Sequence, residues 1–249
     1  MFELTGKVAI VTGGAQGIGR AISEAFAQAG ASVFIADIDD GMGAATVAAI
    51  REQGGDATFC HSDVSNEADA AEVTRQAAEK HNRLDVLCNN AGYLARFHNL
   101  ADAPLEEWER NIAISLMGTR HFSREALRWM VPQRDGSIIN IASVQSLAAA
   151  RESVAYSSIK TALVGFTRCV AYDYGPSNIR VNAICPGAIT TRISPEPGTE
   201  LYNRQIAKTF LGRVGKPHEV AGAAVFLASD AASYITGAVL AVDGGWSAM

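Results

Sequence analysis

Residues 7–20, KVAIVTGGAQGIGR, pass from a β-branched apolar run into a glycine loop and then into a segment with helical spacing. The run at 7–12 is apolar without alternation, as a strand covered on both faces requires. Glycines at 13, 17 and 19 allow a sharp reversal and let backbone N–H groups approach an anion at the start of the next helix. A tight turn alone explains such a loop equally well. Its place, after the first strand and before a helix, is what gives it weight.

The same alternation runs outward along the chain. Further strands are expected at 32–37, 57–62, 84–89, 137–142, 179–184 and 238–242. Apolar residues at helical spacing fill 17–29, 41–53, 66–81, 104–131, 153–175 and 217–228. This order specifies parallel strands joined by right-handed helical crossovers. The expected fold is α/β: a single doubly wound Rossmann domain over 1–249, its seven-stranded parallel sheet covered by helices on both faces. Segment 187–211 breaks the pattern, with Pro195 and Pro197 close together. It is expected to be a substrate lid, because long irregular loops in compact domains are usually functional.

A formal net charge of −5 argues against nucleic acid or an anionic membrane as the main partner. No apolar run reaches the roughly 18 residues of a membrane span, and no basic-then-apolar leader opens the sequence. A cytoplasmic location is expected. Cys60, Cys88, Cys169 and Cys185 lie singly in apolar runs and are expected to be buried free thiols. No metal-ligand spacing occurs.

Asp37 ends the second strand, where an acid can accept hydrogen bonds from both hydroxyls of an adenosine ribose. With Gly13, Gln16, Gly17, Ile18 and Gly19 it reads as a dinucleotide site, and Asp63 and Val64 after the third strand could flank the adenine. Tyr156 and Lys160 stand four apart in a helical segment, so a phenol and an ammonium share one face. Ser143 follows 137–142, at the carboxyl end of a strand, where open α/β sheets bind ligands.

With these residues assembled, the chain resembles the short-chain dehydrogenase/reductase family, in its branch of about 250 residues, from Lys7 to Gly245. The markers fall in order: TGGAQGIG, Asp63, NNAG at 89–92, Ser143, Tyr156 with Lys160, PGAITT at 186–191 and DGG at 243–245. The resemblance implies that Ser143, Tyr156 and Lys160 are catalytic. It also implies that Asn90, Ala91, Gly92, Pro186, Gly187, Ile189 and Thr191, with Tyr156 and Lys160, line the nicotinamide half of a cofactor site. It further implies a homotetramer, for which Val164, Phe166, Val170 and Tyr174 offer more apolar surface than one helix face needs.

One position departs from the family. In WERNIAISLMGT, Ser115 stands where an asparagine usually completes a catalytic tetrad; Asn111 is one turn earlier, too far to substitute directly. The Ser115 hydroxyl is expected to bond back to the carbonyl four residues earlier. That leaves its own carbonyl for the water that the resemblance places there.

Hydride transfer from an alcohol carbon requires removal of the hydroxyl proton by a base of suitable pKa. Free tyrosine titrates near 10. A cation about 4 Å away, at an effective dielectric of 20, supplies about 4 kcal/mol, enough to bring it to about 7. Lys160 is expected to be that cation. The function expected is an NAD(H)-dependent oxidoreductase acting on a secondary alcohol or ketone. Asp37 and the absence of Lys or Arg between 37 and 51 speak for NAD over NADP. Two alternatives stay open: an NADPH-dependent 3-oxoacyl reductase of fatty-acid synthesis, and a non-catalytic nucleotide-binding sensor. Residues expected to face the substrate are Ser143, Tyr156, Tyr93, Leu94, Gln145, Arg151, Ile193 and Tyr202, a mixture suited to a small polyol, sugar or hydroxy acid.

Overall fold

The computed structural model describes residues 2–94, 96–192 and 194–249. Ile193, expected to face the substrate, lies outside the described residues. Seven strands form one sheet: β1 Val8–Thr12, β2 Ser32–Asp37, β3 Asp56–His61, β4 Val86–Asn89, β5 Gly136–Ile141, β6 Ile179–Pro186 and β7 Val239–Val242. Their order is β3-β2-β1-β4-β5-β6-β7, and every pair is parallel. The expected Rossmann sheet is present.

The continuous apolar runs follow from helices on both faces. Ala9 and Val11 of β1 pack into a core with Ile22 and Phe26 of α1 (Gly17–Gln28), Val47 and Ile50 of α2 (Asp40–Glu52), and with α8 (Pro217–Ala228). Val8 and Ile10 point the other way, into a core with Val73 and Ala77 of α3 (Glu67–His81) and Phe122 and Ala126 of α5 (Gly118–Gln133). Alternate side chains of one strand thus enter two different cores.

The segment expected as one helix over 104–131 is interrupted. It divides into α4 (Leu105–Asn111), a π-helical turn over Ile112–Met117, and α5. Apolar periodicity tolerates one inserted residue, so the wide turn leaves little trace in the pattern. Its buried Ser115 is bonded to both flanking helices: the Ser115 hydroxyl donates to Asn111 Oδ1 at 3.1 Å, and Thr119 Oγ1 donates to the Ser115 carbonyl at 2.8 Å. Among its described residues, segment 187–211 holds one short helix, α7 (Glu200–Ile206), with no buried residue.

Two surface expectations are corrected on α6 (Val154–Tyr174). Cys169 is exposed, because its place on the helix faces away from the sheet. Val164 is buried in a small core with Leu163 and Ala183, and Val170 and Tyr174 are partly buried against the core under α3 and α5, so these three offer little spare surface. The outward face carries Ala162, Gly165, Arg168 and Tyr172 instead. Among the described residues no helix is long and apolar enough to cross a membrane, and no cluster of side chains could hold a metal ion.

Below the sheet, buried Asp85 ties three elements together. Its Oδ2 accepts from the Val8 amide at 2.8 Å, and both its oxygens accept from the Arg83 guanidinium. Its own backbone bridges Val8 and Ser137. Removing Asp85 leaves the buried Val8 amide without its acceptor while exposed Arg83 returns to water, so Asp85→Ala should cost about 1–3 kcal/mol of stability. A urea midpoint unchanged from the wild type would contradict this role.

Candidate active site

Strand order reverses between β1 and β4, and their loops part there to open a cleft of about 680 Å³ at the carboxyl ends of the strands. Open α/β sheets bind ligands at such a switch point, and the volume falls within the roughly 300–1,000 Å³ of ligand sites. The two diverging loops are bound to each other. Thr12 Oγ1 accepts from the amides of Asn90 and Ala91, at 3.0 and 3.1 Å. The Asn90 side chain donates to the carbonyls of Thr12 and Gly13, at 3.0 and 2.9 Å. Gly13 takes φ +59°, which favours glycine. A Cβ on Gly19 would overlap the Gly13 carbonyl and the Asn90 amide. The loop is therefore a cradle that side chains would fill, as an extended dinucleotide requires.

Gly13, Gln16, Gly17, Ile18, Gly19, Asp37, Asp63, Val64, Asn90, Ala91, Gly92 and Thr191 all line this cleft. Buried Asp37 accepts from the Ala15 amide through Oδ2 and from the Asp39 amide through Oδ1, leaving each oxygen a lone pair. Asp63 Oδ1 is taken by the amide and hydroxyl of Ser65, so it shapes its own turn while standing at the wall. Pro186, Gly187 and Ile189 are not in the lining; they hold the loop behind it. The Gly187 amide donates to Val242, and Ile189 bridges to Gly215. Thr191 lies within 3.5 Å of a Cβ built on Gly17, which lays this loop across the glycine cradle. Arg110 and Arg192 also line the cleft and were not expected. The signal for Arg192 is adjacency to Thr191; Arg110 has none, because it arrives from a separate element, α4.

Tyr156 and Lys160 share one face of α6, next to Ser143 at the end of β5. Lys160 is buried, and its Nζ donates to the Ile141 carbonyl at 2.7 Å. The ammonium lies 5.8 Å from the centre of the Tyr156 ring. Burial pushes the phenol up, and the Ser143 hydroxyl is what pulls it the other way. Burial also weakens the hold of Lys160 on its proton, to about 8, against an opposing influence from Cys185. Ser143 Oγ accepts from the Gln145 amide at 3.1 Å, which leaves its hydrogen to donate.

Two of the polar side chains expected to meet the substrate, Gln145 and Tyr93, are bonded within the chain. Gln145 Oε1 accepts from the hydroxyls of Ser153 and Ser157. The Tyr93 hydroxyl donates to Glu107, and Arg110 stacks on its ring at 4.6 Å. Arg151 is exposed on the surface, and Tyr202 is half-buried on α7. Leu94, Phe97 and Leu147, on the same segments, are the exposed groups. The Ser115 hydroxyl bonds to the Asn111 side chain rather than back to the carbonyl at 111, and its own carbonyl already accepts from Thr119 Oγ1.

A family model described as enoyl-(acyl carrier protein) reductase matches residues 13–247. The chain is 38% identical over 251 residues to 3β-hydroxysteroid dehydrogenase 2 of Eggerthella lenta, covering 98% of this chain and 96% of that one. It is 41% identical over 244 residues to the 3-oxoacyl-(acyl-carrier-protein) reductase of Chlamydia trachomatis, covering 97% and 98%. Its structure matches that of a short-chain type dehydrogenase/reductase from Mycobacterium ulcerans with a TM-score of 0.96 at 31% identity, over 99% of this chain and 91% of that one.

Burying the Lys160 ammonium works against folding. The unfolded chain binds more protons between about 8 and the ordinary value of 10.5, so stability rises with pH across that window. Lys160→Met should raise stability at neutral pH by about 1–2 kcal/mol after the lost hydrogen bond to Ile141, read as a higher thermal midpoint. The gain should shrink toward pH 10, and a midpoint lowered at neutral pH would rule out this cost.

Proposed function

The chain belongs to the short-chain dehydrogenase/reductase family and is an oxidoreductase using a nicotinamide cofactor, and from that premise we propose that it is an NAD(H)-dependent dehydrogenase of secondary alcohols. The observation that carries the reading is that buried Lys160, with Tyr156 one turn before it on α6, stands beside Gly92 at one end of the cleft. The nicotinamide, when bound, takes or gives the hydride. Ser143 donates its remaining hydrogen to the substrate oxygen, and Tyr156 exchanges the proton of that oxygen. Lys160, an ammonium below about pH 8, stands behind the phenol and keeps the site positive.

Asp37 supports NAD. A 2′-phosphate would bring roughly −1.5 to −2 charge, by analogy with other phosphomonoesters, against Asp37, with Asp39 and Asp40 close by in sequence. Gln16 in the cradle offers no compensating cation. This favours the reading over an NADPH-dependent 3-oxoacyl reductase, although one close relative carries that name. For the substrate, exposed Leu94, Phe97 and Leu147 favour an alcohol with an apolar carbon skeleton over the polyol or sugar expected from sequence. The polar candidates Tyr93 and Gln145 are already bonded within the chain. A homotetramer belongs to the same reading, supported by the outward face of α6, where Tyr172 is 87% exposed, and by the half-exposed edge strand β7.

Turnover of a panel of cyclic and acyclic secondary alcohols, followed by the near-ultraviolet absorbance of the reduced cofactor, tests the proposal. The ratio of kcat/KM values should favour NAD, and Asp37→Ala should narrow it mainly by weakening NAD binding. A wild-type preference for NADP would refute the cofactor assignment. Tyr156→Phe should lose about 10²–10⁴-fold in kcat while still binding cofactor. Retained turnover in that variant would show that another group carries the proton.

A further inference from the structure

Ser115 sits with its hydroxyl committed on two sides. It accepts from the Tyr93 amide at 3.0 Å and donates to Asn111 Oδ1 at 3.1 Å. A serine hydroxyl has one hydrogen and two lone pairs. With the hydrogen on Asn111, only lone pairs are left to face the site. One takes the Tyr93 N–H. The other is available toward Gly92 and Lys160: a Cβ built on Gly92 would lie 3.5 Å from Ser115 Oγ and 3.2 Å from Lys160 Nζ. The two polar atoms therefore flank the same backbone. Lys160 has three donor hydrogens, one of them spent on Ile141.

Asn111 is fully buried, and its Nδ2 has no hydrogen-bond partner among the described residues. An orphaned buried donor carries its full desolvation penalty, so the side chain is retained in a place where an aliphatic residue would sit more easily. Its oxygen, directed at Ser115, is the part with a partner. The π turn supplies the geometry, and such turns occur frequently at functional sites.

We propose that Asn111 is a positioning residue: by holding the Ser115 proton it presents the Ser115 oxygen as an acceptor, which fixes the Gly92–Tyr93 backbone and faces Lys160 with a lone pair. This rests on the dehydrogenase reading above. Asn111 acts through Ser115. The titratable groups facing Lys160 are Tyr156 on its own helix and Cys185 from β6; Ser115 is the neutral dipole that Asn111 orients. Without Asn111 the Ser115 hydrogen is free to turn toward Lys160, where it disfavours the ammonium.

The test follows Lys160 by carbon-13 NMR in cofactor-free protein with labelled lysine side chains, beside the pH dependence of kcat/KM. Asn111→Ala should lower the Lys160 midpoint by about half a pH unit or more, roughly a threefold loss in proton affinity. It should also move the rising limb of alcohol oxidation to higher pH. Asn111→Asp keeps an acceptor oxygen for Ser115 and should bring the midpoint back to the wild-type value or above it. Ser115→Ala should shift the midpoint as well, and adding Asn111→Ala to it should change nothing more, because the two act in series. An unmoved midpoint in Asn111→Ala, or additive shifts in the double variant, would reduce Asn111 to a packing role. If Asn111→Ala does not fold, an unshifted midpoint in Ser115→Ala overturns the proposal, and a shift in Ser115→Ala with none downward in Asn111→Asp supports it. Failure of the wild type to turn over any alcohol would defeat the dehydrogenase reading and still leave the Lys160 midpoints to be read.

Discussion

Everything at the cleft depends on the clamp between the ends of β1 and β4. Thr12 and Asn90 exchange four hydrogen bonds with each other's loops, counting those to Ala91 and Gly13. At this point the crossovers diverge to opposite faces of the sheet. The β1 loop is also held by β2, through the Gly13 amide on the Ala36 carbonyl and the Ala15 amide on Asp37, and the clamp ties it to the β4 loop. The clamp fixes the Gly13 carbonyl against Gly19 on one side and carries Ala91 and Gly92 toward Lys160 on the other. The cradle and the reactive end of the site are thus set by one junction.

The polar groups around that junction break local rules in a consistent way. Lys160 is an ammonium buried beside a carbonyl, Asn111 is an amide buried with an unused donor, and the helix between α4 and α5 opens into a π turn. Each weakens the fold where an apolar, regular alternative exists. Natural sequences accept such conflicts mainly at functional sites, and here all three meet around Gly92 and Ser115. The opposite faces, with β1 splitting its side chains between two cores, follow the simple patterns throughout.

The fold was legible because burial on both faces of a parallel sheet leaves a strong mark: six crossovers alternate with seven apolar runs, and their bounds differ by only a few residues. The cradle residues Gly13 to Gly19 and Asp37 were legible because their order along the chain matches their order along the cleft. What could not be read were properties set by distant contacts. The π turn adds a residue without disturbing apolar spacing, and Arg110 reaches the cleft from another element. Gln145 and Tyr93 looked like substrate contacts because nothing in the sequence reveals that Ser153, Ser157 and Glu107 already hold them. The exposure of Cys169 depends on which face of α6 meets the sheet, and its neighbours, Arg168 and Val170, point to opposite answers.

The most direct measurement follows a label through the reaction. The protein is incubated with NAD and secondary alcohols deuterated at the carbinol carbon, and the deuterium is traced by mass spectrometry. Transfer of one deuterium to the nicotinamide, with release of the matching ketone, is the result expected of a dehydrogenase whose proton acceptor is Tyr156. Binding of NAD with the label left on every alcohol would contradict it.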